Sequence, residues 1–169
     1  MLDRVRDQGV TIALQNGGGV RASIDAGPVT MDEVLTVLPF QNTPSTFQAD
    51  GATIVAALEN GVSQVEEGAG RFLQVAGLKY TFDAAQRTGA RVSDVQVLVG
   101  GDAWAPIDAG TTCSVVTNNF VRTGGDGFRM FADAAKAYDF GPDLADVTAE
   151  YMARGGPVTP ALDGRITRK

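Results

Sequence analysis

Two glycine-rich stretches of the sequence are flanked by aromatic, amide and charged side chains. Residues 15–21 read QNGGGVR, residues 38–42 read LPFQN, and residues 117–128 read TNNFVRTGGDGF. Glycine has no Cβ, so a backbone rich in glycine can approach a ligand closely. Beside such a backbone, phenylalanine can stack on a base, arginine can bind a phosphate, and a carboxylate can accept the hydroxyls of a ribose. These stretches therefore predict a binding site for a phosphorylated nucleoside.

Each of these side chains also has a purely structural interpretation. A lone phenylalanine is usually a core residue, and Arg21 could pair with a carboxylate of the chain. Asp126 lies in a Gly-Gly-Asp-Gly turn, where an aspartate commonly hydrogen-bonds its own backbone. Calcium binding there would need a repeated glycine-rich nonapeptide, and the motif occurs once. For Arg21 the ligand interpretation is favoured, because three glycines beside it are more than a tight turn requires. Phe40 and Phe120 both stand beside loops and amides, where they could clamp a flat base, and both interpretations stay open for them and for Asp126.

The first glycine run does not fit two other nucleotide-binding motifs. Gly17, Gly19 and Ala22 have the spacing of a dinucleotide fingerprint, but that fingerprint must open a helix that holds a pyrophosphate. Residues 23–28 read SIDAGP, which is a turn sequence. No Gly-Lys-Ser/Thr follows the run, so a P-loop is excluded as well.

The composition is that of an acidic globular chain without histidine. The 169 residues carry 14 basic and 20 acidic side chains, a net charge of −6 without a basic cluster, which argues against a nucleic-acid polymer as partner. No apolar stretch approaches the ~20 residues of a membrane span. Without histidine, neither a Ser-His or Cys-His nucleophile pair nor a usual two-metal phosphoesterase centre can be assembled. We therefore expect no catalytic residue and no metal ligand in this chain.

Periodicity and capping signals predict a mixture of strands and helices. Apolar alternation and β-rich runs predict strands at residues 10–15, 46–49, 72–82 (bent at 76–77), 91–99 and 111–118. Helices are predicted from Thr30 to Pro39, after Asp50, and over residues 128–137 and 144–154. Gly9 is expected to end a helix that the chain enters partway, and residues 100–102 to form a turn. The predicted fold class is α+β, a single domain with a mixed β-sheet and flanking helices.

Four motifs resemble the C-terminal domain of the 5′-nucleotidase/UDP-sugar hydrolase family, in the family's order. They are NGGGVR at residues 16–21, LPFQN at 38–42, GRFLQVAG at 70–77, and NF-x3-GGDGF at 119–128. The resemblance covers nearly the whole chain and implies that residues 1–169 are this C-terminal domain, truncated at its N-terminus. It also implies a two-domain enzyme, usually periplasmic or extracellular, whose metallophosphoesterase domain is absent from this chain and would hold two divalent metal ions.

The same resemblance assigns substrate-binding roles to six side chains. They are Asn16, Arg21, Phe40, Asn42, Phe120 and Asp126. The two phenylalanines would hold the base between them, the aspartate would bind the ribose hydroxyls, and the arginine would lie on the phosphate side. Asn16 would reach the base, with Asn42 as a helper. Both phenylalanine positions argue against the thiosulfate-hydrolysing relatives, whose substrate has no base.

Three hypotheses about function follow. The first is the substrate-recognition domain of a metal-dependent 5′-nucleotidase, which would hydrolyse nucleotide phosphate esters to nucleoside and phosphate, with this chain inactive alone. The second is a stand-alone nucleoside- or nucleotide-binding module without hydrolase activity. The third is an interaction domain that kept the fold and lost the ligand. Titration with adenosine separates the third hypothesis from the other two.

Overall fold

The computed structural model describes residues 1–101 and 103–169, in which nine strands form two mixed sheets with five α-helices around them. The strands are β1 (Ile12–Asn16), β2 (Pro44–Asp50), β3 (Leu73–Ala76), β4 (Leu78–Phe82), β5 (Val92–Val99), β6 (Ala103–Pro106), β7 (Thr112–Asn118), β8 (Ala135–Tyr138) and β9 (Ile166–Arg168). The helices are α1 (Leu2–Val5), α2 (Met31–Val37), α3 (Gly51–Val62), α4 (Asn119–Arg122) and α5 (Leu144–Gly155). This mixture confirms the predicted α+β class, with two mixed sheets instead of one.

The first sheet brings the two glycine-rich stretches together. Its strand order is β3-β1-β7-β2-β8, and β1 runs parallel to β7. Because the strands are parallel, their carboxyl ends lie at the same edge of the sheet. β1 ends at Asn16 and β7 ends at Asn118, and a glycine-rich stretch continues from each. Two segments that are far apart in the sequence are thus placed side by side.

The predicted strand 72–82 is divided between the two sheets. β3 pairs with β1 in the first sheet, whereas β4 pairs with β5 and β9 in the second, whose order is β6-β5-β4-β9. Gly77 joins β3 to β4 with a φ of +71°, and a Cβ there would lie 1.8 Å from the main-chain oxygen of Thr11. The bend therefore needs glycine for its backbone angle and for its close approach to β1.

Replacing Gly77 by alanine is expected to lower the free energy of unfolding by more than the roughly 1–2 kcal/mol of a left-handed non-glycine residue. Gly89→Ala is the matched control, because Gly89 has a φ of +86° and a Cβ added there would have no neighbour within 4 Å. Urea denaturation followed by circular dichroism measures both variants. Equal losses of stability would contradict the importance of the close approach at Gly77.

The larger of two buried hydrophobic clusters among the described residues is shared by both sheets and α3. The helix packs against β2, β3 and β5, and its side chains Ile54 and Leu58 are fully buried. It begins where predicted, since the Asp50 carboxylate accepts a hydrogen bond from the Thr53 N–H at 2.8 Å. Hydrogen bonding from Thr53 lowers the pKa of Asp50. The core thus fixes the first sheet, on which the glycine-rich stretches depend.

The predicted capping box, the predicted helix end at Gly9 and the described part of the predicted turn at residues 100–102 are present. Thr30 accepts from the Glu33 N–H and the Glu33 carboxylate accepts from the Thr30 N–H, which confirms the start of α2. Gly9, with a φ of +74°, ends a 3₁₀ turn that follows α1. Gly100 and Gly101 have positive φ values between β5 and β6, while the third residue of that predicted turn, Asp102, lies outside the described residues.

The helix predicted over residues 128–137 is wrong. Phe128 and Phe131 are fully buried, and their rings stack with centroids 5.9 Å apart across a short 3₁₀ turn at Arg129–Phe131. The chain then forms β8, which pairs with the edge of β2. Burial of both rings and the hydrogen bonds of that strand edge together outweigh the local helical preference of this segment.

Candidate functional site

All six residues singled out in the sequence line one cavity of about 490 Å³. Its lining residues are Asn16, Gly18, Gly19, Arg21, Phe40, Asn42, Gly70, Phe120 and Asp126. They come from the end of β1 and the glycine run after it, the segment after α2, the approach to β3, and α4 with the turn that follows it. The edge of the first sheet thus gathers amide, guanidinium, carboxylate and aromatic groups around one space.

Both phenylalanine rings are exposed at this cavity and do not belong to the core. Phe40 is 55% exposed and Phe120 is 45% exposed. The Phe120 ring lies on the backbone of Gly125, where a Cβ would be 2.5 Å from the ring atom Cζ. Gly125 therefore has to lack a side chain for this ring to keep its place. Two exposed aromatic faces on one cavity are suited to a flat ligand.

Asp126 is held at the cavity by hydrogen bonds to both its side chain and its main chain. Its Oδ2 accepts a hydrogen bond from Nδ2 of Asn16 at 2.7 Å, and its main-chain oxygen accepts one from Nδ2 of Asn60 at 3.1 Å. Its φ of 52° lies in the left-handed region, which aspartate tolerates better than most residues. Among the described residues, its Oδ1 accepts no hydrogen bond. This oxygen is available to a hydroxyl donor in the cavity.

Asn16 is 3% exposed, and both the nitrogen and the oxygen of its carboxamide form hydrogen bonds. Its Nδ2 donates to Asp126, while its Oδ1 accepts from Nδ2 of Asn118 at 2.8 Å and from Nε2 of Gln15 at 3.3 Å. One hydrogen of the Nδ2 group is left for another acceptor, since an amide nitrogen carries two. Asn16 thus lines the cavity and also supports the carboxylate of Asp126, a contact that the sequence did not indicate.

Arg21 and Asn42 stand on the wall of the same cavity. The exposed Arg21 donates from Nη1 to the main-chain oxygen of Gly18 at 3.3 Å. None of the ion pairs among the described residues includes Arg21, so the alternative of a structural pair with a carboxylate does not occur there. The main-chain oxygen of Asn42 accepts from the Leu144 N–H at 2.8 Å, which ties this wall to α5. Most of the Arg21 fork remains available to an anion.

Sequence reasoning missed the contacts that hold the site in place. The Gly18 N–H donates to the Gly70 carbonyl at 2.8 Å, and a Cβ on Gly70 would lie 2.9 Å from the Cα of Gly18. Asn60, which holds the main chain of Asp126, accepts in turn from Arg71 at 3.3 Å. Gly70 and Arg71 belong to the GRFLQVAG motif, which was the available signal, whereas Asn60 lies on α3 and carries no motif.

A larger cavity of about 970 Å³ lies elsewhere, between the segment 22–31, α2, α5 and the segment after it. Its lining is mainly apolar, and Asp25 is the one charged residue in it. Ligand sites generally combine apolar faces with a few converging polar groups. The smaller cavity has that combination, so we take it as the candidate site.

Metal-binding clusters and membrane-spanning helices are both absent from the described part of the chain. Within residues 1–101 and 103–169, no group of three or more His, Cys, Asp or Glu side chains is placed to hold a metal ion. None of the helices described there has the length and apolarity needed to cross a bilayer.

The fold and the motifs define a domain found in phosphoesterases: the chain belongs to the family described as "5′-nucleotidase, C-terminal domain", whose model matches residues 3–133. This confirms the resemblance inferred from the four motifs.

Particular relatives are similar over nearly the whole chain. The trifunctional nucleotide phosphoesterase protein YfkN of Bacillus subtilis is 43% identical over 159 residues, which are 94% of this chain and 11% of that protein. The crystal structure of a 5′-nucleotidase precursor from Thermus thermophilus superimposes with a TM-score of 0.96 at 46% identity, covering 99% of this chain and 33% of that one. The NAD nucleotidase of Haemophilus influenzae gives a TM-score of 0.80 at 30% identity, covering 95% and 30%. The chain thus spans a third or less of these proteins.

Proposed function

We propose that this chain recognises the nucleoside part of a nucleotide for a 5′-nucleotidase. The observation that carries the proposal is the convergence of Phe40, Phe120, Asp126 and Arg21 on one cavity. These groups are chemically complementary to a base, a ribose and a phosphate. The names of the relatives, which are nucleotidases and a nucleotide phosphoesterase, support the same class of ligand.

Each part of the ligand has a matching group in this arrangement. A base would stack on the exposed rings of Phe40 and Phe120, which discriminate poorly among bases. The two ribose hydroxyls would donate to the Asp126 carboxylate, with Asn16 and Asn42 as amide neighbours. Arg21 would lie on the phosphate side, where its planar fork can form two hydrogen bonds to the phosphate.

The reaction we propose for the longer protein is hydrolysis of the phosphate ester. A water oxygen bonds to phosphorus, and the bond between phosphorus and the nucleoside oxygen breaks. The nucleoside oxygen takes up a proton from the water, which gives nucleoside and phosphate. The catalytic groups would belong to a metallophosphoesterase domain outside this chain, in which two divalent metal ions would activate the water and stabilise the charge on phosphate. The role of this chain is to bind and orient the nucleoside. A periplasmic or extracellular location is part of the same proposal.

Adenosine and AMP titrations of the purified chain test the proposal. We expect saturable chemical-shift changes in ¹H–¹⁵N spectra at residues that line the 490 Å³ cavity. We expect no phosphate release from AMP when Mn²⁺ or Zn²⁺ is added, because the catalytic groups are supplied by another domain. Absence of binding by both ligands would contradict nucleoside recognition. Phosphate release would contradict the assignment of the catalytic groups to another domain.

A further inference from the structure

We propose that Asn118 is a positioning residue for ribose recognition, although it is not among the residues that line the cavity. Its carboxamide determines which way the Asn16 carboxamide faces, and Asn16 in turn keeps a hydrogen-bond donor on the Asp126 carboxylate. The inference rests on the proposed function. It adds that discrimination between sugars depends on Asn118, a residue behind the site.

The orientation of Asn118 is imposed by the backbone. Asn118 is fully buried at the end of β7, and its Oδ1 accepts the Val121 N–H at 2.9 Å. A main-chain N–H can only donate, so the oxygen of this carboxamide has to face α4 and the NH₂ group has to face away from it. The Nδ2 atom accordingly lies 2.8 Å from Oδ1 of Asn16 and 3.2 Å from Oε1 of Gln15.

The same reasoning then orients Asn16. Because Asn118 presents N–H groups, Asn16 presents its oxygen to Asn118 and its Nδ2 to Asp126, 2.7 Å away. An ionised carboxylate can only accept, so a reversed Asn16 would set two oxygens against each other at Asp126. The contacts therefore form a directional series from the N–H of α4 through two amides to the carboxylate.

This series connects the aromatic and the acidic parts of the site. Asn118 caps α4, the helix that carries Phe120, and through Asn16 it also anchors Asp126. Buried carboxamides that are hydrogen-bonded through both the oxygen and the nitrogen are held in one orientation. With Oδ2 bonded to Asn16, Oδ1 is the oxygen of Asp126 that is left to accept from the hydroxyls of a bound sugar. Asn118 thus acts on sugar recognition without touching the ligand.

The variant Asn118→Asp tests the proposal. Aspartate caps a helix as well as asparagine does, so the bond to the Val121 N–H is kept. It presents an oxygen to Asn16 in place of an N–H. The Asn16 carboxamide then either flips by 180° or loses its hydrogen bond to residue 118. Calorimetric titration with adenosine and with 2′,3′-dideoxyadenosine measures the preference for ribose. We expect this preference to fall about tenfold, as for one hydrogen bond to a charged group, with dideoxyadenosine affinity unchanged.

Asn119→Asp is the matched control, since it adds the same charge one residue further along. Its side-chain oxygen accepts the Thr43 N–H at 3.0 Å, a bond that aspartate can keep. If the buried carboxylate prevents folding, Asn118→Ser replaces it, because serine caps α4 but is too short to reach Asn16. Thermal melting shows which variants are folded.

The possible outcomes separate this inference from the proposed function. A wild-type chain that binds no adenosine contradicts the proposed function itself. A wild-type chain that prefers adenosine, with folded Asn118 variants that keep the preference, contradicts only the positioning role. Equal weakening of both ligands also contradicts it, because a merely structural residue would have that effect. Selective loss of the ribose preference supports it.

Discussion

Replacing Phe120 by alanine in the purified chain is expected to weaken adenosine binding by about 1–3 kcal/mol, or roughly 5- to 150-fold in Kd. The reason is that the ring is 45% exposed and rests on Gly125, so it offers a free face to a base at little cost in stability. Its removal deletes stacking area without opening a hole in the core. Isothermal titration calorimetry measures the affinity, and thermal melting checks that the fold is kept.

Phe140→Ala is the control for the loss of an exposed aromatic ring. Phe140 is 84% exposed and is not among the residues that line the cavity, so adenosine affinity should not change. The stacking role of Phe120 is contradicted if Phe120→Ala binds adenosine as tightly as the wild-type chain does. It is also contradicted if both variants weaken binding equally.

The second large effect is expected from Asp126→Asn, which should weaken adenosine binding by about 1.5–3 kcal/mol. Asparagine tolerates the left-handed backbone at this position, where φ is 52°, and its oxygen can still accept from Asn16. The variant therefore removes the negative charge and one pair of acceptor sites with little disturbance of the turn. The loss should be confined to ligands with ribose hydroxyls and absent for 2′,3′-dideoxyadenosine.

Titration of wild type and variant with both ligands gives the energy of interaction between the carboxylate and the hydroxyls. Coupling close to zero would contradict a ribose contact at Asp126. The substitution Asp133→Asn is a suitable control. It removes one negative charge from a turn a few residues after Asp126, and Asp133 is not among the cavity-lining residues. Comparable weakening by that control would point to net charge instead of a specific contact.

Most of the fold could be predicted from local signals, and the exceptions have long-range causes. The capping box at Thr30 and the cap at Asp50 located α2 and α3, because those hydrogen bonds are made within one helical turn. The segment 128–137 was misassigned because its structure depends on burial of Phe128 and Phe131 and on the free edge of β2. The core residues that bury these rings and the strand β2 are distant in the sequence, so the local pattern does not reveal them.

In the candidate site as well, local motifs indicate some residues, while others depend on contacts between distant parts of the chain. The four motifs, through the family resemblance that they carry, indicate the six residues that line the cavity together with three glycines. The residues that hold them were not predicted, because Asn60 and Asn118 act through partners that the parallel pairing of β1 with β7 and the packing of α3 bring near. An asparagine at the end of a strand carries no signal of its own for such a role.

A crystal structure of the chain with bound adenosine tests the central claim most directly. The account predicts adenine between the rings of Phe40 and Phe120, with the ribose hydroxyls within hydrogen-bond distance of the Asp126 carboxylate. Adenosine bound in the apolar cavity beside α5, or a nucleoside in the 490 Å³ cavity whose base touches neither ring, would contradict it.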